Sequence, residues 1–276
     1  MPDPVPEPAL EPAMPDTTLP PTLAATRDGD IALLRLTRAG KRNALDDDTV
    51  RGLRRFFAEL ARDIRAVVLH GEGEHFCAGL DLGEVAGDID IHRGILHSQM
   101  WHKAFHEIQF GPVPVVAVLH GAVIGGGLEL AASTHVRVAE HSAYYGLPEG
   151  QRGIFLGGGG SVRIPRLVGV PLVQDMMLTG RTLSAEEGHT AGISQYLVGA
   201  GEGLAKGIEL ARRIAGNAPM TNFAVVQALP RIAEADPATG FLTEALMAAI
   251  AETTPEAQQR LKDFLEKRAA KVVRGS

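Results

Sequence analysis

Two apolar runs that each end in glycine, residues 64–71 (IRAVVLHG) and 113–121 (VPVVAVLHG), constrain this chain more than any other feature. Neither run alternates polar with apolar residues, so each reads as a strand covered on both faces. Residues 91–108 between them have room for a helix. Strand, helix and strand in succession imply a crossover α/β architecture. Upstream, residues 22–27 and 31–37 flank Asp28-Gly29-Asp30, a turn signal that makes them a hairpin. Asp46-Asp47-Asp48 occupies the place of an N-cap and first-turn acids, and Val50, Leu53, Phe56, Phe57 and Leu60 share one side of the helix that follows.

Beyond about residue 160 helical patterns dominate, at 172–178, 185–191, 203–217, 220–233, 241–252 and 255–268. Three regions result: an extension at 1–21, a sheet-based core at 22–200, and a helical part at 201–276. The extension holds eight prolines and four acids without Lys or Arg, which marks it as disordered and excludes a signal peptide or a mitochondrial presequence. The net charge of -6, with both signs interleaved, argues against nucleic acid as the main partner. No apolar run has membrane-spanning length. The single cysteine, Cys77, rules out an internal disulfide, and the expected compartment is the cytoplasm.

The chemistry concentrates in three glycine loops. In residues 121–132 (GAVIGGGLELAA) three glycines precede an apolar helical run containing one acid, Glu129. Bare backbone at a helix start exposes amides to an anion, or to a carbonyl that becomes an oxyanion. A tight strand-to-helix turn packed on the sheet is the plainer reading of the same triplet. Glu129 falls in the first turn among Leu and Ala, where burial raises a carboxyl pKa towards the range useful for proton transfer.

The second loop, residues 144–169, contains Pro148-Glu149-Gly150 and the run Gly157–Gly160 before Ser161. It lacks the Lys-Ser/Thr ending of a nucleotide phosphate loop, and its glycine spacing is not the dinucleotide fingerprint. The third, residues 71–82 (GEGEHFCAGLDL), follows an apolar strand and can expose the Leu80 amide. Two amides from separate loops beside two carboxylates suit chemistry on a polarised acyl group.

Residues 41–45 (KRNAL), 76–82 (FCAGLDL), 120–131 (HGAVIGGGLELA), 147–150 (LPEG) and 264–268 (FLEKR), in this order and spacing, resemble the enoyl-CoA hydratase/isomerase, or crotonase, superfamily. The resemblance covers nearly everything after the Pro-rich extension. It implies an α/β crotonase-like spiral of repeated ββα units with a helical C-terminal part serving as trimer contact or lid. It also implies a homotrimer or dimer of trimers, and an acyl-CoA thioester substrate with CoA carried on it and no separate cofactor. Leu80 and Gly126 would give the oxyanion-hole amides. Arg42, Asn43, Ala44, Leu45, Ala78, Asp81, Leu82, Gly125 and Lys267 would contact substrate or CoA, with Arg268 a further candidate for phosphate.

Glu129 and Glu149 match the two glutamates of the hydratases, which implies water addition across the α,β double bond of a 2-enoyl-CoA, with Glu149 the main proton shuttle. Isomerisation, hydrolysis and retro-aldol cleavage of an acyl-CoA are the alternatives. Where hydratases commonly carry Pro-Gly-x-Gly-Gly-Thr, this chain reads Leu156-Gly-Gly-Gly-Gly-Ser161. The acid that dienoyl-CoA isomerases and chlorobenzoyl-CoA dehalogenases carry eight residues beyond the second site is Gly157 here, which counts against both. Arg152, three residues beyond Glu149, lowers that acid's pKa or binds a polar acyl substituent if it faces inward, and is a surface charge, the favoured reading, if it faces outward.

Other chemistry-bearing residues have plainer readings. His92, His97, His102 and His106 do not share a helix face, so they read as surface or subunit-contact residues and no metal site is expected. Cys77 reads as buried and structural. Ser161 is placed to cap a helix. One of Tyr144 and Tyr145 is placed to line an acyl pocket while the other packs.

Overall fold

β1 (Leu23–Asp28) and β2 (Ile31–Leu36) pair antiparallel, with Asp28 opposite Ile31 so that Gly29-Asp30 make the turn. From β2 the sheet continues in parallel through β3 (Ala66–Gly71), β4 (Val115–Leu119), β6 (Val136–Glu140) and β9 (Tyr196–Val198). β5 (Ala122–Ile124), β7 (Tyr144–Gly146) and β8 (Thr182–Ser184) form a second, smaller sheet. This is the α/β crotonase-like fold, in which strands of the large sheet are followed by short strands of the small one and then by helices. The computed structural model describes residues 19–85, 90–266 and 268.

The unbroken apolar character of β3 and β4 has the expected cause. Their side chains alternate between two cores. Val67, Leu69, Val115, Ala117 and Leu119 face one core, which also takes up Val50, Leu53, Phe56 and Phe57 of α1 (Asp47–Ala58) and Ala104, Phe105 and Ile108 of α2 (Ile91–Gln109). Ala66, Val68, Val116 and Val118 face the other, covered by Leu210, Ala211 and Ala215 of α7 (Gly203–Ala215). α1 starts where its acids predict, with Asp46 Oδ1 accepting the Thr49 amide at 2.8 Å. It ends at Ala58, and Leu60 reaches the core from the turn that follows.

α7 approaches the sheet closely because it carries glycine where it crosses the strands. A Cβ at Gly207 would sit 2.6 Å from Val118 Cγ2 and 3.4 Å from Val68 Cγ1. This helix therefore belongs to the core, and the described residues divide into compact units between Ala215 and Gly216 rather than at 200/201. Of the expected extension, residues 1–18 lie outside the described residues. Its last three are folded: Leu19 packs on the core, the Pro20 ring lies against Gly52, and the Pro20 carbonyl accepts the Leu23 amide at 2.9 Å.

The second unit is helical. The run expected at 220–233 is broken into α8 (Pro219–Phe223), a π-helical stretch (Ala224–Ala228) and α9 (Leu229–Glu234). Pro230 has no amide to continue the ladder, and the widened turn just before it accommodates the missing bond. α10 (Pro237–Glu252) and α11 (Pro255–Leu265) follow, capped by Asp236 and Thr254.

Gly207→Leu should overpack the face between α7 and the sheet. A loss of about 1–3 kcal/mol, read as a lower urea midpoint with an unchanged slope, is the expected result.

Candidate active site

The third glycine loop is stitched to the β5 segment. The Cys77 amide donates to the Ala122 carbonyl and the Ile124 amide to the Cys77 carbonyl, each at 3.0 Å, in a parallel bridge between Cys77 and Val123. On the other side Leu45 bridges Leu80: the Leu45 amide donates to Gly79 and the Asp81 amide to Leu45, both at 2.8 Å. Both bonds leave the Leu80 amide pointing elsewhere. The Gly126 amide is the first of α3 (Gly126–Ala132) and has no intrahelical acceptor. Among the described residues neither amide donates to a protein acceptor. Leu80 N lies 3.2 Å from where a Gly126 Cβ would be, so the two donors are neighbours.

Each glycine of the triplet has its own reason. Gly125 adopts φ +52, and a Cβ there would meet Glu149 Oε1 at 2.6 Å. At Gly126 it would strike the Trp101 ring at 2.9 Å, and at Gly127 the Cys77 carbonyl at 2.3 Å. The functional and the packing readings of the triplet therefore both hold: Gly126 presents an amide, and Gly127 lets α3 seat against the 77–80 segment.

Glu129 and Glu149 meet at one cleft of about 570 Å³, which the Leu80, Gly125 and Gly126 backbone also lines. The chain returns from one acid to the other by way of β6 and β7. Both carboxyls are buried, 3% and 7% exposed. Burial pushes Glu129 up to about 7 against the opposing effect of two amides, Gly160 at 2.7 Å and Gly158 at 2.9 Å, which both donate to Oε1; Glu149 adds to the rise and Arg163 counters it. Burial also raises Glu149, opposed by a bond from its own backbone amide and by the Arg152 charge. Its Oε2 is buried with no hydrogen-bond partner. The cleft thus holds two carboxyls of raised pKa, one clamped and one with a bare oxygen, beside two free amides.

Of the remaining candidates, Ala78 and Leu82 line the cleft. Arg42, Asn43, Ala44, Leu45 and Asp81 do not line it but form the scaffold beneath. Asn43 is 1% exposed; its Oδ1 accepts the Arg38 amide, and its Nδ2 donates to the Glu72 and His75 carbonyls. The Arg42 carbonyl accepts the Ala78 amide at 2.9 Å. Asp81 pairs with Lys41 at 3.1 Å and Arg38 at 2.7 Å; Lys41 first, then the Gly83 amide and Arg38, hold its carboxyl below the usual range. Lys267 lies outside the described residues. Arg268 pairs with Asp263 and Glu266, two neighbours of its own segment.

Several expectations change. Arg152 is exposed yet lines the cleft, because a 3₁₀ turn at Gly150–Arg152 folds it back beside Glu149. His97 also lines the cleft, with Nε2 2.9 Å from Asp47 Oδ1, rather than standing on an outer helix surface. Neither Tyr144 nor Tyr145 lines it, since β7 turns Tyr145 into the core. Ser161 caps nothing: α4 (Gly160–Val168) has Gly159 at its N-cap. Cys77 is fully buried and its thiol is pushed up to about 12 by burial, which leaves no thiolate for nucleophilic chemistry at neutral pH.

Sequence reasoning missed Trp101, Asp47, Arg51 and Arg93 as cleft residues and the Gly158 and Gly160 amides as partners of Glu129. The spacing of His97 and Trp101, four apart on one helix, was the available signal.

Fold and cleft together are those of the crotonase superfamily. The enoyl-CoA hydratase/isomerase profile matches residues 26–273, and the chain belongs to that family. It is similar to the short-chain-enoyl-CoA hydratase of Clostridium acetobutylicum, 30% identical over 245 residues that cover 88% of this chain and 94% of that one. The mouse mitochondrial methylglutaconyl-CoA hydratase is 33% identical and covers 86% of this chain and 78% of its own. The crystal structure of an enoyl-CoA hydratase from Bacillus anthracis superposes with a TM-score of 0.83 at 30% identity, covering 89% and 96%.

The Glu129 environment makes a prediction about stability. Its folded pKa of about 7 lies above the ordinary 4.5, so between these values the unfolded chain carries the charge more readily. Stability attributable to Glu129 is intact below pH 4.5 and lost as pH rises to 7. Relative to Glu129→Gln, the wild type should lose about 3 kcal/mol across that interval, as read by urea unfolding at each pH. Parallel pH profiles for the two proteins would contradict the buried, raised carboxyl.

Proposed function

We propose that the protein adds water across the α,β double bond of a 2-enoyl-CoA to give a 3-hydroxyacyl-CoA. The observation that carries this reading is the convergence of Glu129, Glu149 and the free Leu80 and Gly126 amides on one cleft. The thioester oxygen accepts both amides, which draws electron density from the β-carbon and stabilises the enolate as it forms. The water oxygen bonds to the β-carbon while a protonated Glu149 gives its proton to the α-carbon. The proton released by the water returns to Glu149, and the Glu129 carboxylate holds the water's second hydrogen. Both raised pKa values favour such proton traffic near neutral pH. Ala78 and Leu82 contact the substrate, while Asn43, Leu45 and Asp81 serve it by holding the loop that carries Leu80.

The names of the Clostridium and mouse relatives support hydration. Isomerisation, hydrolysis and retro-aldol cleavage are the competing reactions on this scaffold. Turnover in heavy-oxygen water separates them. Hydration puts the label in the 3-hydroxy group and hydrolysis puts it in a carboxylate; isomerisation and retro-aldol cleavage incorporate none, and only the latter shortens the acyl chain. We also propose a cytoplasmic location and, for assembly, a homotrimer or dimer of trimers, the latter supported by the exposed Phe241, Leu242 and Leu246 along α10.

Glu149→Gln should bind acyl-CoA as the wild type does and lose about 100- to 10,000-fold in kcat. Unchanged turnover would remove Glu149 from the mechanism. Gly126→Val drives a side chain into Trp101 and displaces the amide. A folded variant should lose about 100- to 1000-fold in kcat, and normal turnover would move the oxyanion site elsewhere.

A further inference from the structure

The four glycines at 157–160 are the least self-supporting stretch of the cleft wall, because glycine has more backbone freedom to lose than any other residue. Yet this stretch carries the two amides that hold Glu129. The Gly158 and Gly160 amides belong to the first and third of three successive peptide groups. The peptide between them presents the Gly158 carbonyl, and that carbonyl accepts Arg163 Nη1 at 3.0 Å. The other arm of the same guanidinium is anchored: Arg163 Nε donates to Gln109 Oε1, at the end of α2, at 2.7 Å. The fit is tight. Gly159 stands at φ +92, and a Cβ there would lie 2.3 Å from Arg163 Nη1.

We propose that Arg163, braced by Gln109, is a positioning residue that locks the glycine loop so that its two amides converge on Glu129 Oε1. The inference rests on the hydratase reading for its kinetic consequence, but not for the geometry. Arg163 forms no ion pair with Glu129 among the described residues; it acts through the peptide between the two donors and through its charge at longer range. A planar, forked donor suits a bridge between an amide oxygen and a backbone carbonyl, which a lysine spans less well. The effect is to keep one oxygen of a buried carboxylate satisfied and to leave the other free of the loop amides.

The charged groups around Glu129 are Glu149 across the cleft, which raises its pKa, and Arg163 on α4, which lowers it. His102 of α2 meets the Gly157 carbonyl, and burial first and then the Arg163 charge lower its pKa. Removing Arg163 loosens both amide bonds and deletes a nearby cation. Both changes disfavour the carboxylate, so the Glu129 midpoint must rise. Because the ionised form holds the water, the acidic limb of kcat/KM moves to higher pH.

The test is a carboxyl-carbon NMR titration of the full chain labelled at glutamate, with the Glu129 signal assigned by its loss in Glu129→Gln. Arg163→Met should raise the midpoint by about one pH unit, a tenfold change in the ratio of ionised to protonated carboxyl at a given pH. The acidic limb of kcat/KM should move with it. Arg163→Lys, which keeps the charge but not the fork, should recover only part of the shift. A folded Arg163→Met protein whose Glu129 titrates as in the wild type overturns the proposal. Should that variant fail to fold, Gln109→Met leaves the guanidinium in place and removes its brace. A smaller upward shift is then expected, and no shift overturns the proposal. The titration needs no turnover, so a wild type inactive on enoyl-CoA would remove the hydratase reading while this inference stood or fell on the midpoint alone.

Discussion

The close parallel contact between the 77–80 segment and β5 is the constraint from which the cleft follows. Its hydrogen bonds, Cys77 to Ala122 and Ile124 to Cys77, fix the two chains at strand spacing. At that spacing a side chain on Gly79 would strike the Ile124 carbonyl and one on Gly127 the Cys77 carbonyl. With both absent, the Leu80 and Gly126 amides are left side by side, with their neighbours' bonds already committed. Such donors are preorganised: they do not have to be turned toward an oxyanion when charge develops, and the low-dielectric wall strengthens them.

The same architecture explains how two carboxyls can be kept buried with no cation in direct ion-pair contact among the described residues. A buried carboxyl without partners takes up a proton rather than stay ionised. Glu129 is held at an intermediate position, since burial raises it and two amides at 2.7 and 2.9 Å lower it. Glu149 has a different balance. Its Oε1 approaches the bare Gly125 backbone, its Oε2 has no partner, and Arg152 supplies an opposing charge. Two acids twenty residues apart therefore sit in one cleft with unequal surroundings.

The supporting shell is built from backbone contacts. Asn43 ties three carbonyl and amide groups of separate loops together, and Asp81 gathers Arg38 and Lys41. These residues stand in motifs that resemble substrate-contact segments, and their side chains bond to the scaffold. A loop that must present one amide accurately needs its own peptide groups immobilised first.

The sequence by itself determined β1 to β4, the helices flanking them and the three glycine loops, while β5 and β8 of the second sheet and the outer strands β6 and β9 were not read from it. The elements that were read follow from local rules: apolar runs for strands buried on both faces, acids at Asp46–Asp48 for a helix start, and glycines where backbones must touch. It also singled out Glu129 and Glu149, since an acid amid Leu, Ala and Gly is conspicuous in one dimension. Tertiary structure alone decided the rest. Arg152 and His97 face the cleft because a 3₁₀ turn and the pairing with Asp47 direct them there, which no periodicity encodes. α7 joined the core because Gly207 matches Val118 across the sheet, a fit between residues 89 positions apart in the chain. The partners of Glu129 were illegible for the same reason: they are main-chain amides, which every residue possesses, and only the path of the glycine loop aims two of them at one oxygen.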